Sequence, residues 1–384
     1  MALTFRFPVQ VVFGEGSLPE VRHFVKSFGK HALLVTGGGP TSRLPAVQAL
    51  QDLLAAEGTA VTFFPEVESD PGVETVERGV AVARENGCDF VIGLGGGSPM
   101  DAAKVIAARL NNDGNITSWE GQGRIPRRGK PLICIPTTAG TGSEVTWVAV
   151  ITGGKRRQKM SLVSQYLYPL LALVDPELTY SMSPELTAAT GMDALTHAVE
   201  SCVAKRSWEP TRALSLQAVR LIFTHLERAC QDGSEREARS GMSLASLLAG
   251  MAFTTSGLGL AHALAHALGS HFGVPHGKAN ALLLPHVMRF NLDCCPGLYR
   301  ELAMAMGMDV SGLSAPRAAE KAVEAVEGLL ALLPLPKNLS ELGVPASSVE
   351  ALSAEAFLNT RLRSSNPKDT VLEDLVQVLR EAFA

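Results

Sequence analysis

Charge, long apolar runs, paired cysteines and the common nucleotide-binding fingerprints are all scarce in this sequence of 384 residues. Charged residues make up 19%, below the roughly 25% typical of globular chains. The formal balance of 34 Lys+Arg against 38 Asp+Glu leaves a net charge of −4. That balance argues against a nucleic acid or an anionic membrane held by bulk charge. The longest apolar candidates, Ala281–Leu284 and Leu329–Leu333, stop at prolines. They fall far short of the roughly 18 residues that a membrane span needs. The first ten residues carry one Arg and no long apolar stretch, so no signal peptide is expected. The six cysteines form no C-x-x-C pair and are expected as free thiols of a cytoplasmic protein. There is no Gly-Lys-Ser/Thr, which excludes a P-loop, and no G-x-G-x-x-G.

Hydrophobic residues, at 46%, are enough to bury a large core, and the length suggests two domains. In the first half, β-branched runs alternate with helical stretches. Strands are predicted over Val9–Phe13, Ala32–Thr36, Ala60–Phe64, Phe90–Leu94 and Leu132–Ile135. Helices are predicted over Pro45–Glu57, Val73–Asn86 and Met100–Leu110. This order points to a parallel sheet covered by helices on both faces, a Rossmann-like α/β domain. After about Ser183 the character changes: Ala, Leu, Met, Glu and Arg dominate long stretches at Pro184–Val203, Thr211–Cys230 and Glu235–Ala252. The expectation is an α/β domain over 1–180 and an all-helical domain over 181–384, with the site in a cleft between them.

Glycine is abundant, 36 of 384 residues, and three clusters each follow a predicted strand. Gly95-Gly96-Gly97-Ser98-Pro99 follows Phe90–Leu94 and precedes a helix. Ser98 reads as its N-cap, Pro99 as its first residue and Asp101 as a capping-box partner. Glycines here let backbone approach a ligand, and a helix start suits a pyrophosphate. Thr137-Thr138-Ala139-Gly140-Thr141-Gly142 follows the strand ending at Ile135 and offers small hydroxyls to a nucleotide. Gly37-Gly38-Gly39 follows Ala32–Thr36. A dehydrogenase that prefers NAD usually carries an acid near this point for the ribose 2′-hydroxyl. None is present, and Ser42 and Arg43 follow, so NADP(H) is expected over NAD(H).

The second half carries a second pattern. Asp193 and His197 are spaced i, i+4, as are His262 and His266, and each pair therefore shares one helix face. His276 follows ten residues after His266. One Asp with three His forms a mixed O/N set for a divalent metal with positions left for water or substrate. Burying such groups in Ala- and Leu-rich helices without a ligand is costly. The remaining five histidines match no such spacing.

Taken together, four stretches resemble the iron-containing (group III) alcohol dehydrogenase family of the dehydroquinate synthase-like superfamily: Gly95–Lys104, Pro136–Glu144, Asp175–Glu200 and Gly257–Asn280. Asn366–Thr370 is similar to the family's C-terminal signature. The resemblance implies metal ligands at Asp193, His197, His262 and His276. It implies cofactor contacts at Gly96, Gly97, Ser98, Asp101, Thr137, Thr138 and Lys159, with His266 beside the nicotinamide. It favours Fe²⁺, with Zn²⁺ or Mn²⁺ as alternatives, and a homodimer or larger homo-oligomer. Two departures stand out: Ala267 follows His266 where many members carry Pro or Gln, and Thr254-Thr255 replaces a segment often rich in Asn.

The expected activity is hydride transfer between NAD(P) and a small primary alcohol or aldehyde, with the metal polarising the substrate oxygen and His266 relaying a proton or orienting substrate. The alternatives are a glycerol dehydrogenase-like polyol oxidoreductase, another zinc-dependent enzyme of the superfamily and a non-catalytic nucleotide-binding protein. A synthase acting on a phosphorylated acid would need several cations in its cleft, and Lys278 is the one evident near the ligands.

Overall fold

A computed structural model describes residues 3–153 and 158–383. The chain divides into two compact units, Phe7–Tyr180 and a second made of Met1–Arg6 with Ser181–Ala384.

The first unit is built on a parallel sheet. Its strands are β1 (Gln10–Phe13), β2 (His31–Gly37), β3 (Ala60–Val67), β4 (Phe90–Gly95), β6 (Leu132–Pro136) and β9 (Leu171–Val174), in the order β1-β9-β6-β4-β2-β3. A second, three-stranded sheet joins β5 (Gly121–Gln122), β8 (Gln158–Val163) and β7 (Val148–Gly153), in that order. Both faces of the main sheet are covered, which is why its central strands read as unbroken apolar runs; all six residues of β4 are buried. The period of two then sorts side chains to opposite faces. Leu33, Val35 and Val91 pack with helices α3 (Val73–Glu85) and α4 (Gly97–Asn111) through Val76, Val80, Val105 and Ile106. Leu34, Phe90 and Ile92 pack on the other side with Val25 of α1 (Arg22–Phe28) and with Val47, Leu50 and Leu54 of α2 (Pro45–Ala56).

Four strands lie outside the sequence expectation. β5 is two residues long, β9 is a four-residue apolar run, and the β7–β8 pair forms an antiparallel ribbon whose neighbours are distant in sequence. β5 is too short to register as a strand, and tertiary pairing selects all four.

The second unit is helical. Its leading elements are α5 (Pro184–Val203), α6 (Glu209–Gln231), α7 (Arg236–Ser256), α8 (Leu260–Phe272) and α9 (His276–Asn291). Ser183 caps α5, its Oγ accepting the Leu186 N–H at 3.2 Å, and Pro184 occupies the first helical position. α7 and α8 meet at 102°, the chain turning through Gly257 at φ +91°. Among the described residues, no single helix is long and apolar enough to cross a membrane.

Candidate metal and cofactor site

In the first unit, the three glycine clusters follow β2, β4 and β6, which are adjacent in the sheet. The chain runs from β2 to β3 on one side and then returns to β4 on the other side of β2. This is a topological switch point, and open α/β sheets bind ligands just outside the carboxyl ends of strands there. The clusters also meet one another. A Cβ on Gly95 would lie 3.3 Å from Thr41 Cγ2, one on Gly96 3.4 Å from Thr138 Oγ1, and one on Gly97 3.0 Å from Thr141 Cγ2. Thr138 Oγ1 is buried and has no hydrogen-bond partner, so a donor–acceptor hydroxyl is left unsatisfied between glycine-lined turns.

The start of α4 corrects one expectation. The helix begins at Gly97 with Gly96 as its N-cap, and Ser98 lies inside the first turn. The glycines let the backbone enter helical geometry two residues earlier than a Ser98 cap would. Ser98 Oγ instead accepts the N–H of Asp70 at 3.3 Å. Asp101 is no capping-box partner either. Its carboxylate accepts the Ser143 hydroxyl at 2.7 Å and the Val150 N–H at 2.8 Å, tying α4 to the segment after β6 and to β7. Lys159 Nζ pairs with Asp70 Oδ1 at 2.8 Å. Asp70 is the one non-glycine residue with positive φ among those described, at +55°. Thr137 is buried and its N–H donates to Gly95 O. Ser42 Oγ donates to Gly39 O at 2.9 Å. A Cβ on Gly37 would meet nothing closer than 3.5 Å, whereas one on Gly38 would come within 3.1 Å of Pro65 O.

In the second unit, α5, α8 and α9 bring the Asp and His residues together. α9 approaches α5 closely because residue 277 is glycine: a Cβ there would lie 2.3 Å from Ala189 O. Asp193, His262 and His276 offer ligand atoms that all lie within 4.8 Å of one another. Asp193 Oδ1 is 3.6 Å from His276 Nε2 and 4.0 Å from His262 Nε2. His197 borders this group rather than joining it. Its Nδ1 is 4.0 Å from Asp193 Oδ2, and its ring stacks on His262 at 4.6 Å and on Phe253 at 4.5 Å. His266, one turn along α8 from His262, lies with its ring centroid 5.4 Å from that of His276.

Two residues without an expected role complete the cluster. Asn280, fully buried on α9, directs Nδ2 at Asp193 Oδ1 (2.7 Å), His276 Nε2 (3.1 Å) and His262 Nε2 (3.2 Å). An amide has two N–H protons for these three acceptors, and its own Oδ1 is buried without a partner. The nitrogen thus stands among the donor atoms as a cation would. Glu200 Oε2 is hydrogen-bonded to His262 Nδ1 at 2.7 Å. Burial raises its carboxyl to about 7, while burial, with the nearby His197 and Arg361 charges, holds the His262 imidazole well below its ordinary value. Both could have been found from sequence by spacing. Glu200 falls at i+7 from Asp193 on one face of α5, and Asn280 at i+4 from His276. Lys278 is paired with Glu185.

The family model described as iron-containing alcohol dehydrogenase matches residues 8–176, and that for the C-terminal part of the Fe-containing alcohol dehydrogenase family matches residues 187–383. The chain is 37% identical over 380 residues to an NAD-dependent methanol dehydrogenase of Bacillus methanolicus, covering 99% of each chain. It is 40% identical to a 1,3-propanediol dehydrogenase of Klebsiella pneumoniae, covering 92% of each. A crystal structure of a 1,3-propanediol oxidoreductase superposes with a TM-score of 0.97 at 37% identity, over all of both chains. With its parallel-sheet unit, its helical unit and both halves matched, this chain belongs to the iron-containing alcohol dehydrogenase family.

Proposed function

We propose that Asp193, His197, His262 and His276 hold a divalent metal, and that the enzyme interconverts a small primary alcohol and its aldehyde using NADP(H). The observation that carries the reading is the convergence of Asp193, His262 and His276 on one buried amide nitrogen.

The residues fit the metal that the family name implies. An aspartate oxygen and imidazole nitrogens suit Fe²⁺ or Mn²⁺ and admit Zn²⁺. The unsatisfied Asn280 Oδ1, with three acceptors around Nδ2, is the pattern of a polar site built for a cation. When bound, the ion supplies Lewis acidity toward a substrate oxygen and the nicotinamide supplies the hydride. The chain's own share is positional. Burial keeps His262 neutral, leaving a nitrogen lone pair free to ligate. Gly95–Gly97 and the start of α4 offer backbone to a pyrophosphate, and the Thr138 hydroxyl gains a partner there. His266 is assigned proton relay or substrate orientation, supported by its place one turn from His262 and beside His276.

The NADP(H) preference rests on the turn after β2, where Gly37 stands without an acid and Ser42 and Arg43 follow. The Bacillus methanolicus relative is named NAD-dependent, so cofactor choice is the sharper of the tests. Oxidation of NADPH and of NADH is followed separately with C2 to C6 aldehydes, before and after chelation and after adding back Fe²⁺ or Zn²⁺. Chelator-sensitive turnover with a higher kcat/KM for NADPH is expected. No turnover with any aldehyde by the metal-loaded protein rejects the activity; equal or better use of NADH rejects the cofactor assignment alone.

A further inference from the structure

The Glu200 carboxylate does two things at once. On the helix side, Oε2 accepts the Gly259 N–H at 2.9 Å and Oε1 accepts the Ala261 N–H at 2.7 Å. These N–H groups belong to the opening of α8, whose N-cap Gly259 has no side chain to cap them. On the histidine side, Oε2 also lies 2.7 Å from His262 Nδ1, within hydrogen-bond distance. Glu200 is 4% exposed, so no bulk water competes for these contacts. Glycine at residue 259 leaves room for the acid: a Cβ there would crowd it, 3.0 Å from Glu200 Oε1 and 3.0 Å from Asn366 Oδ1.

From this geometry we infer that Glu200 is the positioning residue of the metal centre, fixing His262 as the tautomer that presents an unprotonated Nε2 to the ion while anchoring the start of the helix that carries it. The inference rests on the metal reading above. Its physical basis is proton placement. Asn280 Nδ2 can only donate and lies 3.2 Å from His262 Nε2, so the proton of a neutral His262 sits on Nδ1, toward Glu200, and Nε2 keeps its lone pair. His262 Nε2 faces Asp193 Oδ1 and Asn280, the side on which the other two donor atoms converge. Because the same acid holds Gly259 and Ala261, the imidazole and its backbone are fixed relative to α5, which carries Asp193. A metal-donor atom from α8 and one from α5 thereby keep their spacing through one buried group.

Replacing Glu200 by Gln keeps the size and changes the donors. The amide offers one oxygen and one N–H₂ to three N–H groups; with its N–H₂ in the place of Oε2, the histidine part of the conflict is relieved when the imidazole moves its proton to Nε2, where it blocks ligation. Apo wild-type and E200Q proteins are titrated with Zn²⁺ against a competing chelator and with Co²⁺ by its visible absorption. Zn²⁺ binding by E200Q is expected to be tenfold to a hundredfold weaker, with altered Co²⁺ bands. Wild-type affinity and spectrum in E200Q, even with a lowered Tm, overturn the inference and reduce Glu200 to a helix cap. If E200Q does not fold, ¹⁵N-histidine NMR of the metal-free wild type decides: His262 protonated on Nδ1 supports the inference, and His262 protonated on Nε2 refutes it. A wild-type protein that binds neither ion overturns the metal reading itself.

Discussion

Asn280 Nδ2 donates to Asp193 Oδ1 across 2.7 Å, joining α9 to α5 at the point where two histidine nitrogens also converge. In the metal-free protein this amide is the only donor described for that Asp193 oxygen, and it balances a site otherwise made of acceptors. Asn280→Ala removes it and leaves buried acceptors facing each other. The metal-free variant is expected to lose about 1–3 kcal/mol of stability. Saturating Zn²⁺ supplies the missing positive partner, so the gap in Tm between wild type and variant should narrow. Calorimetry with and without Zn²⁺ measures this, and an unchanged gap would show that Asn280 acts on the fold alone.

His262 and His266 share a face of α8 but differ in surroundings. His262 is buried within the three-residue donor group, whereas His266 lies outside it. His262→Ala is expected to abolish stoichiometric metal and turnover together. His266→Ala should keep its metal and lose turnover, by roughly 10²–10⁴-fold if it relays a proton. Metal content by mass spectrometry beside kcat separates the two; equal metal loss in both variants contradicts this division.

A Cβ on Gly37 would sit at ordinary contact distance, 3.5 Å from its nearest atom, Val67 O, and φ there does not demand glycine. Gly37→Asp should therefore be tolerated by the fold. An added carboxylate near a 2′-phosphate repels it, whereas a 2′-hydroxyl can donate to it. The ratio of kcat/KM for NADPH over NADH should fall by tenfold or more, about 1.4 kcal/mol in transition-state terms. Steady-state kinetics with both cofactors would show an unmoved ratio if the ribose binds elsewhere.

Glu144 is fully buried after β6, and burial raises its carboxyl from 4.5 to about 7. The folded state therefore holds its proton up to higher pH than the unfolded chain does. Stability from this group is greatest below about pH 4.5 and declines as pH rises to about 7. Glu144→Gln does not titrate. Its stability relative to wild type should rise across that window, by on the order of 3 kcal/mol at about 1.4 kcal/mol per pKa unit. Urea unfolding at pH 5 and pH 8 tests the sign. A difference that shrinks with pH would mean that Glu144 is ionised and paired.

Sequence by itself determined the fold class, the strand-then-glycine turns and the pairing of Asp193 with His197 and of His262 with His266. Each is local: it depends on a period of two, a period of 3.6 or a residue that only a turn tolerates. Tertiary structure decided what each polar group faces. Ser98 is a residue type suited to a cap, yet Gly96 and Gly97 start the helix ahead of it, and its hydroxyl meets Asp70 instead. Asp101 looks like a capping partner until Ser143 and Val150 arrive from more than 40 residues away. Glu200 and Asn280 lie on the right helix faces in the sequence, but spacing cannot say that one meets His262 and the other three donor atoms at once. Those contacts reach from α5 to α8 and α9, across the 62 residues between Glu200 and His262 and the 87 between Asp193 and Asn280. Periodicity fixes a side chain's face; only packing fixes its partner.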